Sequence, residues 1–237
     1  MTAKERLRDI LYAGLGPDIY LADRARQLHR AIGLLADDIN AAGFGELFGT
    51  VQNAAVGELT LNVAKLFERP STRYPVRSIP AVIAVLQERA SELKPMEPMP
   101  ALADFSRAGI ETSSLESVFG EAFTRQLGTL LQTSCPDTKK ADACELSRSL
   151  ETMRASRDKA IAHNEAVDRD SLPRAKWSEA ESLLEYAKNV SAGLAMAYFS
   201  SAWTDDFGRF GKTDDAGVAA SQLRRLLKAA NIPKAAV

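Results

Sequence analysis

Arg157 and His163 lie six residues apart in the stretch Arg157-Asp158-Lys159-Ala160-Ile161-Ala162-His163-Asn164-Glu165. An imidazole whose ordinary pKa is about 6.5 offers both a proton donor and a proton acceptor near neutrality. A guanidinium presents a rigid fork of donors that matches the oxygens of a phosphate. The pair therefore suits general acid–base chemistry on an anionic substrate. Lys159, one helical turn before His163, adds to the anion field and lowers the histidine pKa. Asn164 can orient either group, and Asp158 is placed to pair with Arg154 one turn back, keeping the helix end in order.

The element that positions these residues is a helix whose packing stripe changes character. Ala143, Leu146, Leu150, Met153, Arg157, Ala160 and Asn164 are spaced three and four apart, so they share one face. The early positions are core-like; the fifth is a permanent cation and the seventh an amide. A charge on a packing face is costly unless something pairs with it, and such conflicts between pattern and residue are where sites are expected. A plainer reading exists, because basic residues at a helix C-terminus also meet the macrodipole and cap carbonyls. Arg24 and His29 form a second Arg–His pair, with four residues between them, but Ala25 follows that arginine and no comparable set of polar residues surrounds it. Its cations Arg24, Arg26 and Arg30 read as a solvated face.

The remaining chain reads as helix after helix. Residues 3–13 are amphipathic, and Gly14-Leu15-Gly16-Pro17 is expected to stop or kink that element. Leu21, Ala25, Leu28, Ile32, Leu35 and Ile39 make the seam of a long second helix closed by Ala42-Gly43. A third helix over about 46–68 repeats the pattern with Val51, Ala55, Leu59, Val63 and Leu66, as an antiparallel partner. Ser78-Ile79-Pro80 opens a fourth. Three prolines within residues 95–100 make 94–112 a connector. The Ser113/Glu116 capping-box spacing opens a fifth helix carrying Leu115, Phe119, Ala122, Leu127 and Leu130. The sixth covers roughly 137–165 and is broken by Pro173 and the residues before it. Ser178 and Glu181 open a seventh, with Leu183, Ala187, Val190, Leu194 and Ala197 as its seam, packed on the sixth. An aromatic segment with Trp203, Phe207 and Phe210 and a short helix with Leu223, Leu226 and Leu227 end the chain. No run alternates like a strand, and there is no repeat or glycine-rich phosphate loop. The fold class is all-α, a helical bundle of about seven to eight helices. Residues 1–200 form its body, and 201–237 are an appendage of the same domain.

With 237 residues and 46% hydrophobic content the chain can bury a real core. Lys plus Arg (30) nearly balances Asp plus Glu (31), so global charge advertises neither nucleic acid nor membrane, and any anion site must be local. No apolar run of about 18 residues and no signal-like start occurs, which predicts a cytoplasmic protein without membrane contact. Cys135 and Cys144 stand nine apart without a second pair, which favours reduced structural thiols over a metal site.

Arg157-Asp158-Lys159, then Ala162-His163, late in a long helix of an all-α chain, resembles the HEPN superfamily, and within it the abortive-infection U-type (AbiU-like) branch. Leu59-Thr60-Leu61-Asn62-Val63-Ala64-Lys65-Leu66-Phe67-Glu68, followed by Ser78-Ile79-Pro80, resembles that branch's helix ending in Leu-Phe-acid and its next capped helix. The resemblance spans roughly residues 10–200. It implies a compact helical bundle that commonly dimerises, and a ribonuclease that uses no metal or other cofactor, with an Arg and a His from each protomer. Carried onto this sequence, Arg157 and His163 become the catalytic pair, with Arg154, Asp158, Lys159 and Asn164 supporting them or contacting RNA. RNA brings its own nucleophile, the 2′-hydroxyl, and cleavage through it leaves 2′,3′-cyclic phosphate ends. The partners implied are RNA, a second copy of the chain, and an antitoxin or another defence protein. The alternative within the same resemblance is a silent module that binds RNA, nucleotide or a partner protein without cleavage. Six residues of α-helix put Arg157 and His163 about 120° apart with a rise of about 9 Å, so one straight helix does not aim both at one phosphate. Either the last turn unwinds, or the matching helix of a second protomer contributes across a two-fold axis; the shared site is the expectation favoured here.

Overall fold

The structure, a computed structural model, describes residues 1–71, 73, 75–138, 144–158 and 176–229. Among them there is no strand, only one isolated bridge between Thr204 and Phe210. The all-α expectation holds.

Helix α1 (Ala3–Ile10) opens on a capping box, in which Thr2 Oγ1 accepts the Glu5 N–H at 3.1 Å and the Glu5 carboxylate accepts the Thr2 N–H at 2.7 Å. The expected stop at residues 14–17 does not occur. The chain runs through a π-helical segment, Leu11–Leu15, straight into α2 (Gly16–Leu34), with Pro17 in the first turn, where its missing N–H costs nothing. Gly14 serves a close crossing instead of a break: a Cβ there would stand 2.1 Å from the Arg77 Cβ. The long second helix is interrupted at Leu35, and a short α3 (Ala36–Ala41) carries Ile39 into the turn before α4 (Gly45–Leu66). Polar rungs show that α2 and α4 are antiparallel. Lys65 meets Asp18 at 3.8 Å, Arg24 meets Glu58 at 2.7 Å, and Gln52 donates to the His29 carbonyl at 3.4 Å, so residue numbers rise along one helix as they fall along the other.

Ser78 caps α5 (Ile79–Glu88) as expected, accepting the Ala81 N–H. The proline-rich stretch expected to be a connector contains α6 (Pro98–Arg107). Its prolines fall in the first turn, where they are tolerated, and Ala101 and Phe105 behind them are fully buried. This helix lies along α9 (Trp177–Phe199), so closely that a Cβ on Gly193 would come within 2.6 Å of the Phe105 ring. Helix α7 (Gly120–Ser134) starts later than the Ser113 capping signal, which makes only a 3₁₀ turn. In consequence Phe119 is 68% exposed, and the buried stripe is Phe123, Leu127 and Leu131 in place of the expected Phe119 and Ala122. Helix α8 (Glu145–Ser156) falls within the expected 137–165; Asp137, the expected start, sits instead in the turn after α7, and the expected end, residues 159–165, lies outside the described residues.

Helix α9 is the axis of the body. Leu183, Ala187, Val190, Leu194 and Ala197 are all buried, and the helix packs on α2, α4, α6 and α8. It starts one residue before the expected Ser178 cap, with the Glu179 carboxylate accepting the Lys176 N–H at 2.9 Å. Beyond it Trp203 is buried while Phe207 points outward. Helix α10 (Val218–Ala229) docks on the body. Ala220, Leu223 and Leu227 form a second apolar cluster with Ala31, Ile32 and Ile39, and Leu226 faces away from it. Among the described residues no helix is long and apolar enough to cross a membrane.

Candidate active site

The stripe that leads to the site behaves as its spacing predicts. Leu150 and Met153 of α8 are buried in the main core and Leu146 packs against it. Arg157 follows directly, at the point where the apolar residues end, and its side chain is 20% exposed. Its Nε donates to Asp158 Oδ1 at 2.7 Å. The backbone at Arg157 and Asp158 adopts a π-type turn. The 100°-per-residue count from Arg157 towards His163 therefore begins in a turn that is wider than α. Lys159, His163 and Asn164 lie outside the described residues.

Asp158 does not pair with Arg154, which is a correction to the sequence reading. Arg154 turns the other way, towards the end of α4: Nη1 meets Asp137 Oδ1 at 2.6 Å and Nη2 donates to the Phe67 carbonyl at 2.5 Å. Asp137, only 4% exposed in its side chain, also takes Arg69 Nε on both oxygens, at 3.1 and 2.9 Å, while Arg69 Nη2 donates to the Asp137 carbonyl at 3.0 Å. One carboxylate thus ties α4, the turn after α7, and α8 together, one turn below Arg157.

The Leu66-Phe67-Glu68 helix end and the Ser78 cap acquire a physical role here. The last carbonyls of a helix have no intrahelical donors. The Phe67 carbonyl is taken by Arg154, and the Glu68 carbonyl accepts Ser78 Oγ at 2.6 Å. The phenyl ring of Phe67 is fully buried and lies 6.0 Å from Tyr186 of α9, whose hydroxyl meets Ser134 Oγ at 3.1 Å. Arg69 and Asp137 were not legible as site neighbours, because spacing reports only local pairs; the sole cue was Arg69 directly after the Leu-Phe-Glu end. Close by, burial pushes the Cys135 thiol up to about 12, so it is a neutral, packed group at physiological pH.

The competing Arg–His pair is structurally absorbed. His29 stacks on Trp177 with centroids 3.8 Å apart and 18° between planes, and burial holds its pKa below the ordinary value, against a smaller opposing effect of Glu181. Arg24 is paired with Glu58, Arg26 with Asp23 and Glu185, and Arg30 with Glu181 at 4.0 Å. Arg24 and Arg30 stand on an exposed face as expected, whereas Arg26, only 13% exposed, is turned inward onto the buried Asp23, which corrects the solvated-face expectation for that residue.

The described residues form an all-α helical bundle in which Arg157 stands at the end of the α8 stripe and the end of α4 is tied to Asp137 through Arg69 and Arg154. A family model described as AbiU2 (HEPN_AbiU2) matches residues 5–217, and the chain belongs to that family. The match reaches further than the resemblance read from sequence, taking in the Trp203 segment and ending just before α10. Comparison with curated proteins and with solved structures gives no match.

Proposed function

We propose that this protein is a metal-independent endoribonuclease that acts as a toxin or effector in phage defence or a toxin–antitoxin pair. The observation that carries the reading is the place of Arg157, a cation at the end of the α8 stripe, held just above a three-element anchor and set in a chain of the AbiU2 family. In the reaction a base takes the proton of the 2′-hydroxyl, the 2′-oxygen attacks the adjacent phosphorus, and the 5′-oxygen leaves with a proton from an acid. The products are a 2′,3′-cyclic phosphate and a 5′-hydroxyl. His163 carries the proton transfer, and Arg157 holds the phosphate oxygens as charge develops on them. Lys159 adds to the anion field, Asn164 orients the reacting groups or contacts ribose, and Arg154 and Asp158 fix the end of the helix. Residues 1–200 with the appended 201–237 act as one domain, supported by α10 docking on α2. The protein works in the cytoplasm as a homodimer with a shared site, opposed by an antitoxin or paired with another defence protein. The test is incubation of purified protein with mixed RNA in EDTA. Cleavage that persists under chelation and disappears in His163→Ala supports the proposal.

A second reading is a module that binds RNA, nucleotide or a partner protein without cleaving. The pairing of Arg157 Nε with its own neighbour Asp158 favours it, because that carboxylate competes with a phosphate for the guanidinium. RNA retained by the protein but unchanged in length would select this reading.

A further inference from the structure

The aromatic face at the N-terminal end of α2 is built differently from an ordinary packing cluster. Tyr12, Gly16 and Tyr20 are four apart on one face, so the glycine leaves a notch between two tyrosines about 12 Å apart along the axis. Trp203 closes the notch: a Cβ on Gly16 would lie 3.6 Å from the edge of its six-membered ring. With Pro17 and Lys212 these residues line an open cavity of about 370 Å³, the size class of small-molecule pockets, mostly apolar with Lys212 as its one charged residue. Tyr12 belongs to the π-helical segment Leu11–Leu15, a departure from α geometry that recurs at functional sites.

Three cations border this face. Lys212 Nζ stands 5.8 Å from the centroid of Trp203, and Arg8 lies 5.9 Å from Tyr12 and 5.8 Å from Phe199. Lys4 Nζ is 5.7 Å from the Phe199 ring. Among the described residues no carboxylate lies within ion-pair distance of Lys4, Arg8 or Lys212, so a phosphate there would meet no carboxylate competitor. Trp203 itself is buried with its Nε1 lacking a hydrogen-bond partner among the described groups, so the indole is kept at a desolvation cost that a phenylalanine would not carry. Flat aromatic walls with uncompensated cations at the rim select a ligand that joins a planar ring to a negative charge.

We propose that the notch between Tyr12 and Tyr20, floored by Trp203, binds a nucleotide unit, the base lying against the rings and the phosphate held by Lys212 with Arg8 and Lys4 further along. The unit is either a free mononucleotide or one residue of a single-stranded RNA. Arg157 is not among the residues that line it, and binding there does not depend on cleavage.

Trp203 supplies its own probe. The protein has two tryptophans, so Trp177→Phe leaves Trp203 as the only one. Its emission can be followed in EDTA during titration with AMP, with ribose 5-phosphate, and with a 2′-O-methyl oligonucleotide that cannot undergo 2′-hydroxyl attack. The expected result is saturable quenching by AMP or the oligonucleotide and none by ribose 5-phosphate. Tyr20→Ala weakens it at least about tenfold by loss of stacking. Lys212→Gln weakens it about fivefold and lowers the slope of log affinity against log salt by about 0.7. Equal response to AMP and to the oligonucleotide per site identifies a free nucleotide; response to the oligonucleotide alone identifies an RNA strand. Quenching by neither, or quenching indifferent to both Tyr20→Ala and Lys212→Gln, overturns the proposal. These outcomes are read from binding alone, so they stand apart from the His163→Ala cleavage comparison.

Discussion

Arg154 and Arg157 are one turn apart and do different work. Arg154 serves structure, bridging Asp137 and the Phe67 carbonyl, while Arg157 sits above that anchor at the edge of the core. Replacing Asp137 by Ala leaves a half-buried guanidinium without its carboxylate and the end of α4 loosened. The expected loss is about 3 kcal/mol in urea or thermal unfolding, the lower end of the range for breaking a buried pair, because Arg154 keeps some contact with solvent. Arg69, 71% exposed, shares the same carboxylate but remains solvated, so Arg69→Ala is expected to cost no more than about 0.5–1 kcal/mol. Equal losses in the two variants would show that the triangle is not organised around Asp137. His29 gives a pH-dependent counterpart. Burial against Trp177 lowers its pKa, so the folded state resists the proton, and stability that is complete above about pH 6.5 falls as pH drops below it. The thermal midpoint of wild type should therefore decline more between pH 7.5 and 5.5 than that of His29→Gln; parallel curves would mean that His29 contributes nothing to the decline.

At the scale of elements, the apolar seams decide both the fold and what could be read in advance. Leu150 is buried in the core one turn before Met153, so Leu150→Asp places a charge there and should unfold the bundle, a loss beyond about 4 kcal/mol. His163→Ala, beyond the end of that seam, is expected to leave the thermal midpoint nearly unchanged; soluble, helical Leu150→Asp would mean that the stripe is misplaced. The seams of α4 and α9 and the Ser78 cap were legible because helical period and capping chemistry are local. Three features were not. Helix α6 was hidden by prolines that look like breakers but fall in its first turn. The glycines at 14 and 16 look like a stop, yet Gly14 admits the Arg77 side chain and the helix continues through a π segment. The start of α7 was misjudged because a Ser/Glu spacing marks a turn as readily as a helix, and Gly120, at φ +58°, sets the true entry. The site divides the same way. Arg157 stood out as a charge in a seam, whereas the Arg69–Asp137–Arg154 triangle joins residues from three elements, which no single-helix period reports.

For the whole molecule, the proposed chemistry demands that a guanidinium and an imidazole six residues apart in sequence reach one phosphate. A two-fold dimer that brings two α8 ends together meets it. Mixing wild type with His163→Ala under subunit exchange should then lower activity as the square of the wild-type fraction if both histidines are required; a straight line in that fraction would indicate independent sites. The chemistry itself is identified by its products. Wild-type protein incubated with a defined single-stranded RNA in excess EDTA should yield fragments ending in 2′,3′-cyclic phosphate, with partner fragments bearing 5′-hydroxyls, and neither Arg157→Ala nor His163→Ala should yield them. Intact RNA with the wild type, fragments ending in a 3′-hydroxyl, or cyclic-phosphate products undiminished in both variants would contradict a metal-independent ribonuclease built on Arg157 and His163.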